Sequence, residues 1–322
     1  MCNIKIVLCP TDFSPVSERG LFLATQACEL LGARLVVQHN LDTFPLLYMA
    51  NPEVLPESET RLLEEQGLEA QAMLKELLAQ LPKQLPVETR VTTGKAPVSI
   101  LELARELPAD LIVMGTHGRG GLGHMLVGST TEHVMLQSPC PVLTVRNPEN
   151  TRFLDITAGV TPQSHQPILV PVDLSPDSRA HLNYACTLLD VFPGRLQVLH
   201  VLEPTSWDDM KGATHFNVPE YRHHRVQEAQ EQLRAFLPPE FAERIDVHVR
   251  MGVIVDEVIS HAEAIGASLI VIGARKKGLL DELFGRTSYG ILKSSSCPVL
   301  VVPQQIGAGS PAHEKAAHGL AR

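Results

Sequence analysis

The chain has 322 residues, 44% of them hydrophobic and 20% charged, with a formal net charge of −9. Those values describe a globular, water-soluble polypeptide long enough for two cores, and the negative balance argues against general affinity for nucleic acid or an anionic membrane. No apolar run approaches a membrane span and the opening Met1-Cys2-Asn3-Ile4-Lys5 lacks a secretory pattern, so a cytoplasmic protein is expected.

Taken in chain order, apolar runs alternate with helical patterns. Ile4–Leu8 reads as a strand, Val16–Leu31 as a helix and Arg34–Gln38 as a second strand. Glu57–Gln80 is a long helix with Leu62, Leu63, Leu74, Leu77 and Leu78 on its apolar stripe and a solvated Glu/Gln face. Val87–Thr92 is the next strand, and Pro97 suits the first turn of a helix reaching Glu106. Leu111–Met114 and Val142–Val145 complete five strands, with a helix from Ser129 to Gln137 between them. Runs without alternation fit strands covered on both faces, and a βαβα order implies a parallel, doubly wound sheet. The six cysteines show no CxxC spacing and are expected as free thiols packing as small hydrophobes.

The chain then repeats itself. Cys9-Pro-Thr-Asp12-Phe-Ser14 matches Val170-Pro-Val-Asp173-Leu-Ser175, and Val37-Gln-His39 matches Val198-Leu-His200. Asp110-Leu-Ile-Val-Met-Gly115 matches Ser268-Leu-Ile-Val-Ile-Gly273, and Ser138-Pro-Cys-Pro-Val-Leu143 matches Ser295-Ser-Cys-Pro-Val-Leu300. The offsets are 161, 161, 158 and 157, the period of a whole domain and far too long for a solenoid repeat. The expected organisation is domain 1 over 1–147, a linker over 148–165, domain 2 over 166–305 and a disordered tail over 306–322.

One stretch points to a ligand: Gly115-Thr-His-Gly118, nine residues, then Gly128-Ser129. It follows a buried strand and opens a helix, the geometry that sets backbone N–H groups around an anion. Ser129, Thr130 and Thr131 add hydroxyls, and Arg119 or His124 would add positive charge. The competing reading is a surface loop with a serine cap. The loop is not a P-loop, since Gly-Lys-Ser/Thr is missing, and no G-x-G-x-x-G follows the first strand. Asp12, just past the first strand, suits either a ribose hydroxyl or a cap on the following helix. In a doubly wound sheet, Asp12 and Gly115 face one another at strand ends. The recurring His39 and His200 are read as packing at the ends of the second strands. His215, His223 and His224 lack metal-ligand spacing, so no metal site is assigned. Trp207 and Met210 stand where a loop would cover an apolar cavity.

These motifs, quoted over nearly the whole chain, resemble the universal stress protein family, in a tandem two-domain form. The resemblance implies two open five-stranded parallel sheets of the Rossmann-like, adenine nucleotide alpha hydrolase-like type, forming a pseudo-dimer. In that family G-x-x-G-(nine)-G-[S/T] marks the branch that binds ATP, with or without Mg. By the resemblance, Asp12 contacts ribose, Pro10 and Thr11 line the pocket, and the backbone at Asn40 and at Met114–Gly115 faces adenine. His117, Gly118, Gly128, Ser129 and Thr130 surround the phosphates. Single-domain relatives pair through their last strands, which implies intramolecular pairing of the domains here and allows a homodimer. Domain 2 departs from the motif: Lys276 replaces the second glycine, Arg286 is aligned with the third, and Thr287 keeps the hydroxyl. Its Arg275, Lys276, Lys277 and Arg286 form either a solvated loop or an altered anion site, and ATP binding there is expected to be lost. The functional expectation is a non-catalytic, regulatory or protective ATP-binding protein of stress adaptation. A slow ATP hydrolase and a nucleotide-free interaction scaffold are the alternatives.

Overall fold

The computed structural model describes residues 3–42, 57–116, 127–146, 167–192, 194–203, 218–274 and 285–307. The chain divides into two compact units, one within Asn3–Glu149 and the other within Asn150–Arg322. The 148–165 linker and the basic residues Arg275, Lys276 and Lys277 lie outside the described residues, as do Trp207, Met210 and His215.

The first unit contains β1 (Ile6–Thr11), α1 (Pro15–Leu31), β2 (Arg34–Leu41), α2 (Glu57–Leu78), β3 (Val87–Thr93), α3 (Ala96–Glu106), β4 (Leu111–Gly115), α4 (Ser129–Gln137) and β5 (Val142–Val145). Its strands lie parallel in the order β3-β2-β1-β4-β5. Helix α1 starts where the Ser14 hydroxyl accepts the Ser17 N–H and Pro15 fixes the first turn; it stops at Gly32, whose φ of 64° lies in the left-handed region. Val7, Leu8, Leu35, Val36, Val37, Ile112 and Val113 are fully buried, and unalternating β-branched strands under helices on both faces are the reason. Strand β1 runs to Thr11, past the Leu8 expected from sequence, because Cys9, Pro10 and Thr11 pair with Val37, Gln38 and His39 of β2.

The second unit repeats this plan with β6 (Ile168–Val172), α5 (Pro176–Leu188), β7 (Leu196–Leu202), α6 (Val218–Phe236), β8 (Ile245–Met251), α7 (Ile254–Ile265), β9 (Leu269–Ala274), α8 (Arg286–Ser294) and β10 (Val299–Pro303). The parallel order is β10-β9-β6-β7-β8. Ile306 and Gly307, assigned to the tail by sequence, close a short helix α9 (Gln304–Gly307); residues 308–322 lie outside the described residues. The α/β class and its tandem repetition are therefore as read from sequence. No helix among the described residues is long and apolar enough to cross a membrane.

Both sheets change winding direction beside their first strand. From β1 the chain winds outward through β2 to β3, then returns to place β4 on the other side of β1. The ladder between β1 and β4 comprises Val7–Leu111 and Leu8–Ile112. Ile6 turns its carbonyl to Asp110 on the β4 side, so by alternation Leu8 and Pro10 face β4 as well. Proline has no N–H to continue that ladder. Pro171 repeats the device in β6, whose ladder with β9 comprises Ile168–Leu269 and Leu169–Ile270. A proline thus opens the crevice at each switch point, where ligands of doubly wound sheets bind.

Candidate functional site

In the first unit the crevice floor is built by the turn after β1. Asp12 Oδ1 accepts the Ser14 N–H at 3.1 Å and the Ser14 hydroxyl at 2.6 Å. The helix cap is therefore Ser14 itself, with Asp12 bracing it, which sets aside the alternative of Asp12 as the cap residue. Between them Phe13 sits at φ 59°, a left-handed conformation that costs a side-chain-bearing residue about 1–2 kcal/mol. The Phe13 ring lies 4.5 Å from the His39 ring, and His39 Nδ1 donates to the Thr11 carbonyl at 2.8 Å. These contacts hold the strained turn, and they give His39 the packing role expected of it. The buried Thr11 hydroxyl meets the Ser17 hydroxyl at 3.0 Å, and Ser17 also donates to the Ser14 carbonyl at 2.9 Å.

Asn40, at the end of β2, is held on both sides. Its amide donates to the Gly94 carbonyl at 2.8 Å and to Asp42 at 3.1 Å, while its Oδ1 accepts the Thr92 hydroxyl at 3.0 Å. The side chain is committed to neighbouring turns, which fixes the backbone at this strand end. Across the switch point, Gly115 closes β4 against α1. A Cβ at Gly115 would come within 2.8 Å of Val16 Cγ1, and one at Gly20 within 3.4 Å of the Gly115 nitrogen. The two glycines let helix and strand approach this closely.

Beyond β4, Thr116 and the start of α4 are tied together. The Gly128 N–H donates to the Thr116 carbonyl at 2.7 Å, and the Thr131 hydroxyl donates to the Gly115 carbonyl at 2.9 Å. The first backbone bond of the helix runs from Glu132 N–H to the Gly128 carbonyl at 2.9 Å. The N–H groups of Ser129, Thr130 and Thr131 precede it, and Gly128 brings no side chain to cap them. Together with the helix dipole they form a site for an anion.

All the described members of the predicted site thus fall on one edge of the first sheet. Pro10, Thr11 and Asp12 end β1, Asn40 ends β2, Met114 and Gly115 end β4, and Gly128, Ser129 and Thr130 open α4. His117 and Gly118, with Arg119 and His124, lie outside the described residues.

The second unit has the same frame and different contents. Leu174 repeats the left-handed turn at φ 60°, and His200 Nδ1 donates to the Val172 carbonyl at 2.9 Å. Asp173 Oδ1 accepts the Ser175 N–H at 3.0 Å, the Ser175 hydroxyl at 2.5 Å and the Ser178 hydroxyl. Helix α8 begins at Gly285, with Tyr289 N–H bonded to the Gly285 carbonyl at 2.9 Å and the Ser288 hydroxyl directed to the Gly273 carbonyl at 3.4 Å. These bonds match those of Gly128 and Thr131. The third motif glycine therefore survives as Gly285, and Arg286 stands in place of Ser129, not of the glycine. The sequence alignment slipped by one residue because the repeat offset falls from 158 to 157 within this connection.

One residue escaped the sequence reading. The offset of 161 pairs Gly20 with His181, and only 6% of His181 is exposed. Its Nε2 donates to the Pro171 carbonyl at 2.9 Å, the group left by the interrupted ladder. Its Nδ1, buried and without a hydrogen-bond partner, would lie 2.9 Å from a Cβ at Gly273. Burial pushes this imidazole below its ordinary pKa, the Pro171 bond and Asp173 only partly opposing it. In the first unit the same position is Gly20, where even a Cβ would lie 3.4 Å from the Gly115 nitrogen, so an imidazole would not fit at that helix–strand distance.

Cys9, Cys28, Cys140, Cys186 and Cys297 are free thiols, as expected. Burial raises Cys28, Cys140 and Cys186 to about 12 and Cys9 higher still, so they pack rather than react.

Comparison with known proteins accords with this geometry. The profile of the Universal stress protein family matches residues 3–146 and 165–303. A universal stress protein from Thermus aquaticus is 33% identical over 142 residues, covering 44% of this chain and 98% of its own length. A universal stress protein of Mycobacterium tuberculosis strain H37Rv is 24% identical over 226 residues, 69% of this chain and 70% of its own. The crystal structure of a universal stress protein from Archaeoglobus fulgidus aligns with a TM-score of 0.65 at 19% identity, over 93% of this chain and 98% of that one, which shows a shared fold. With both halves matched in order, the chain belongs to the universal stress protein family and carries two of its domains in tandem.

Proposed function

We propose that domain 1 holds an adenine nucleotide, ATP with or without Mg, and that the protein serves stress adaptation as a non-catalytic, nucleotide-dependent regulatory or protective factor. One observation carries the reading: three N–H groups at the start of α4 have no side-chain cap and share the strand-end crevice with Asp12. The phosphates would sit on Ser129, Thr130 and Thr131, whose amides favour negative charge. Asp12 would accept the ribose hydroxyls, since a carboxylate can take about four hydrogen bonds. Pro10 and Thr11 would line the floor, and the backbone of Asn40, Met114 and Gly115 would frame the base. His117 and Gly118 are assigned to the phosphates by family pattern alone.

Domain 2 is proposed to hold no ATP. His181 packs a ring beneath Gly273 where domain 1 has Gly20, Asp173 is engaged by two serine hydroxyls, and Arg286 replaces Ser129. Regulation then follows from population shift: a nucleotide that binds one conformation of domain 1 more tightly enriches it for a partner to read.

Calorimetric titration of the full chain with ATP tests this. One site per chain is expected. Asp12→Asn, which keeps an acceptor for Ser14 while removing the charge, should weaken binding about tenfold or more, roughly 1.4 kcal/mol. Asp173→Asn should leave it unchanged. Two equivalent sites, or no uptake at millimolar nucleotide, would overturn the assignment. Sustained phosphate release over many turnovers, abolished by Asp12→Ala, would make the protein a hydrolase instead.

A further inference from the structure

A histidine pair in domain 2 lies outside the nucleotide crevice. His261 on α7 is only 5% exposed, and both of its ring nitrogens lack a hydrogen-bond partner. Its ring stands 4.6 Å from that of His248 on β8, tilted by 52°. His248 is held in turn: Nε2 donates to Gln197 Oε1 at 2.5 Å, Gln197 donates to Asp246 at 2.6 Å, and Arg195 clamps the same carboxylate at 2.6–3.1 Å. Native proteins rarely leave buried polar atoms unpaired, so such a group calls for a physical reason.

The charged groups around His261 give it no counter-ion. On β8 stand His248, Asp246 and Arg250; Asp246 is taken by Arg195 and Gln197. On α7 itself Glu257 is bonded to Arg250 at 3.1 Å. Strand β7 contributes Gln197, which is neutral. Helix α8, packed on α7 where Val255 meets Gly290, carries Arg286 and Lys293. A proton on His261 would thus face a second imidazole and the Arg250 cation, with both nearby carboxylates already engaged.

Domain 1 shows the alternative. With β3 and β8 matched at an offset of 158, the residue in the place of His261 is Leu103, which is 4% exposed. The same buried position can therefore be filled by a hydrocarbon, and domain 2 instead carries a titratable ring there.

We propose that the His261–His248 pair is an acid-sensitive latch that releases α7 from β8 at mildly acidic pH, while the Leu103-packed helix α3 of domain 1 stays closed. Burial first, then His248 and Arg250, push His261 down to about 4, with Glu257 opposing them; burial also lowers His248. A histidine depressed in the folded state binds fewer protons there than when opened. Domain 2 therefore keeps its full stability above about pH 6.5 and loses it as pH falls toward about 4. Within that window His261 alone lowers the closing equilibrium about tenfold per pH unit. Asp246, held below the usual carboxylate range by Arg195, releases its contribution only at lower pH. His181 lies in the same domain and is also depressed, so substitutions at 261 carry the test.

The experiment is hydrogen exchange of the full chain read by mass spectrometry between about pH 7 and about pH 4.5, as protection factors corrected for intrinsic exchange. Segments Ile245–Met251 and Ile254–Ile265 should lose protection about tenfold per unit relative to Val87–Thr93 and Ala96–Glu106. His261→Leu, which installs the residue domain 1 uses, should remove that differential loss. Equal acid response in both domains, or an undiminished response in H261L, overturns the proposal. Should H261L fail to fold, the proton NMR titration of His261 in the unsubstituted chain decides: a midpoint near 4 supports the latch, and one at or above about 6.5 overturns it.

Discussion

The turn after β1 and the turn after β6 follow one plan, an aspartate, a left-handed residue and a serine cap, yet one hydroxyl points differently in each. In domain 1 Ser17 meets the Thr11 hydroxyl at 3.0 Å. In domain 2 the matching strand residue is Val172, which has no hydroxyl to pair with the serine, and Ser178 turns instead to Asp173. A single change of strand residue thus adds a donor to the carboxylate proposed to hold a sugar in the other copy. The same logic runs along the crevice. Gly20 lets α1 approach Gly115, whereas His181 places a ring under Gly273. Ser129 follows the cap glycine in one copy and Arg286 in the other. The two copies share one element order and one turn plan, while side chains at a few positions differ.

Three sets of substitutions sharpen or break this comparison. The largest effect is expected at the cap. Gly128 has φ −64° and ψ 143°, which any residue can adopt, so Gly128→Asp would place a carboxylate on the free N–H groups of α4. The helix should gain a few tenths to about 1 kcal/mol, while ATP affinity falls about a hundredfold, because the new anion occupies the phosphate site. Gly285→Asp should stabilise α8 and leave ATP uptake untouched. Calorimetry and thermal unfolding measured together would expose any variant in which stability and binding move the same way.

Next comes the close packing of helix on strand. Gly115→Ala should destabilise domain 1 by about 1–3 kcal/mol in urea unfolding, since Val16 backbone atoms as well as its side chain stand in the way. Gly273→Ala should cost a similar amount because of His181, but about 1 kcal/mol less in an H181A background. If the two substitutions in domain 2 are additive, His181 does not crowd Gly273 as described.

The smallest effect tests the rerouted hydroxyl. Thr11→Val, importing the domain 2 residue, should cost about 1 kcal/mol. A double-mutant cycle with Ser17→Ala should show coupling of similar size. Zero coupling would mean that the Thr11–Ser17 bond contributes nothing to the turn.

Much of this was legible in the chain. The period and the alternation of strands with helices show as local patterns, because unalternating apolar runs and turn residues act within a few positions of themselves. The position of Asp12 past the strand was legible for the same reason. Its division of labour with Ser14 was not, since Asp, Ser and Thr all favour such turns and only geometry separates cap from brace. The slip that set Arg286 against Gly128 came from a one-residue change of offset inside a loop, where no hydrophobic period fixes the register.

What sequence alone determined is the duplicated α/β fold, because backbone preference and burial pattern are properties of neighbouring residues. What only tertiary structure decided is which side chains share space: His181 beneath Gly273, Thr11 against Ser17, and His261 tilted against His248. Those pairings depend on how closely helix and sheet approach, a distance that the packing of the whole domain sets.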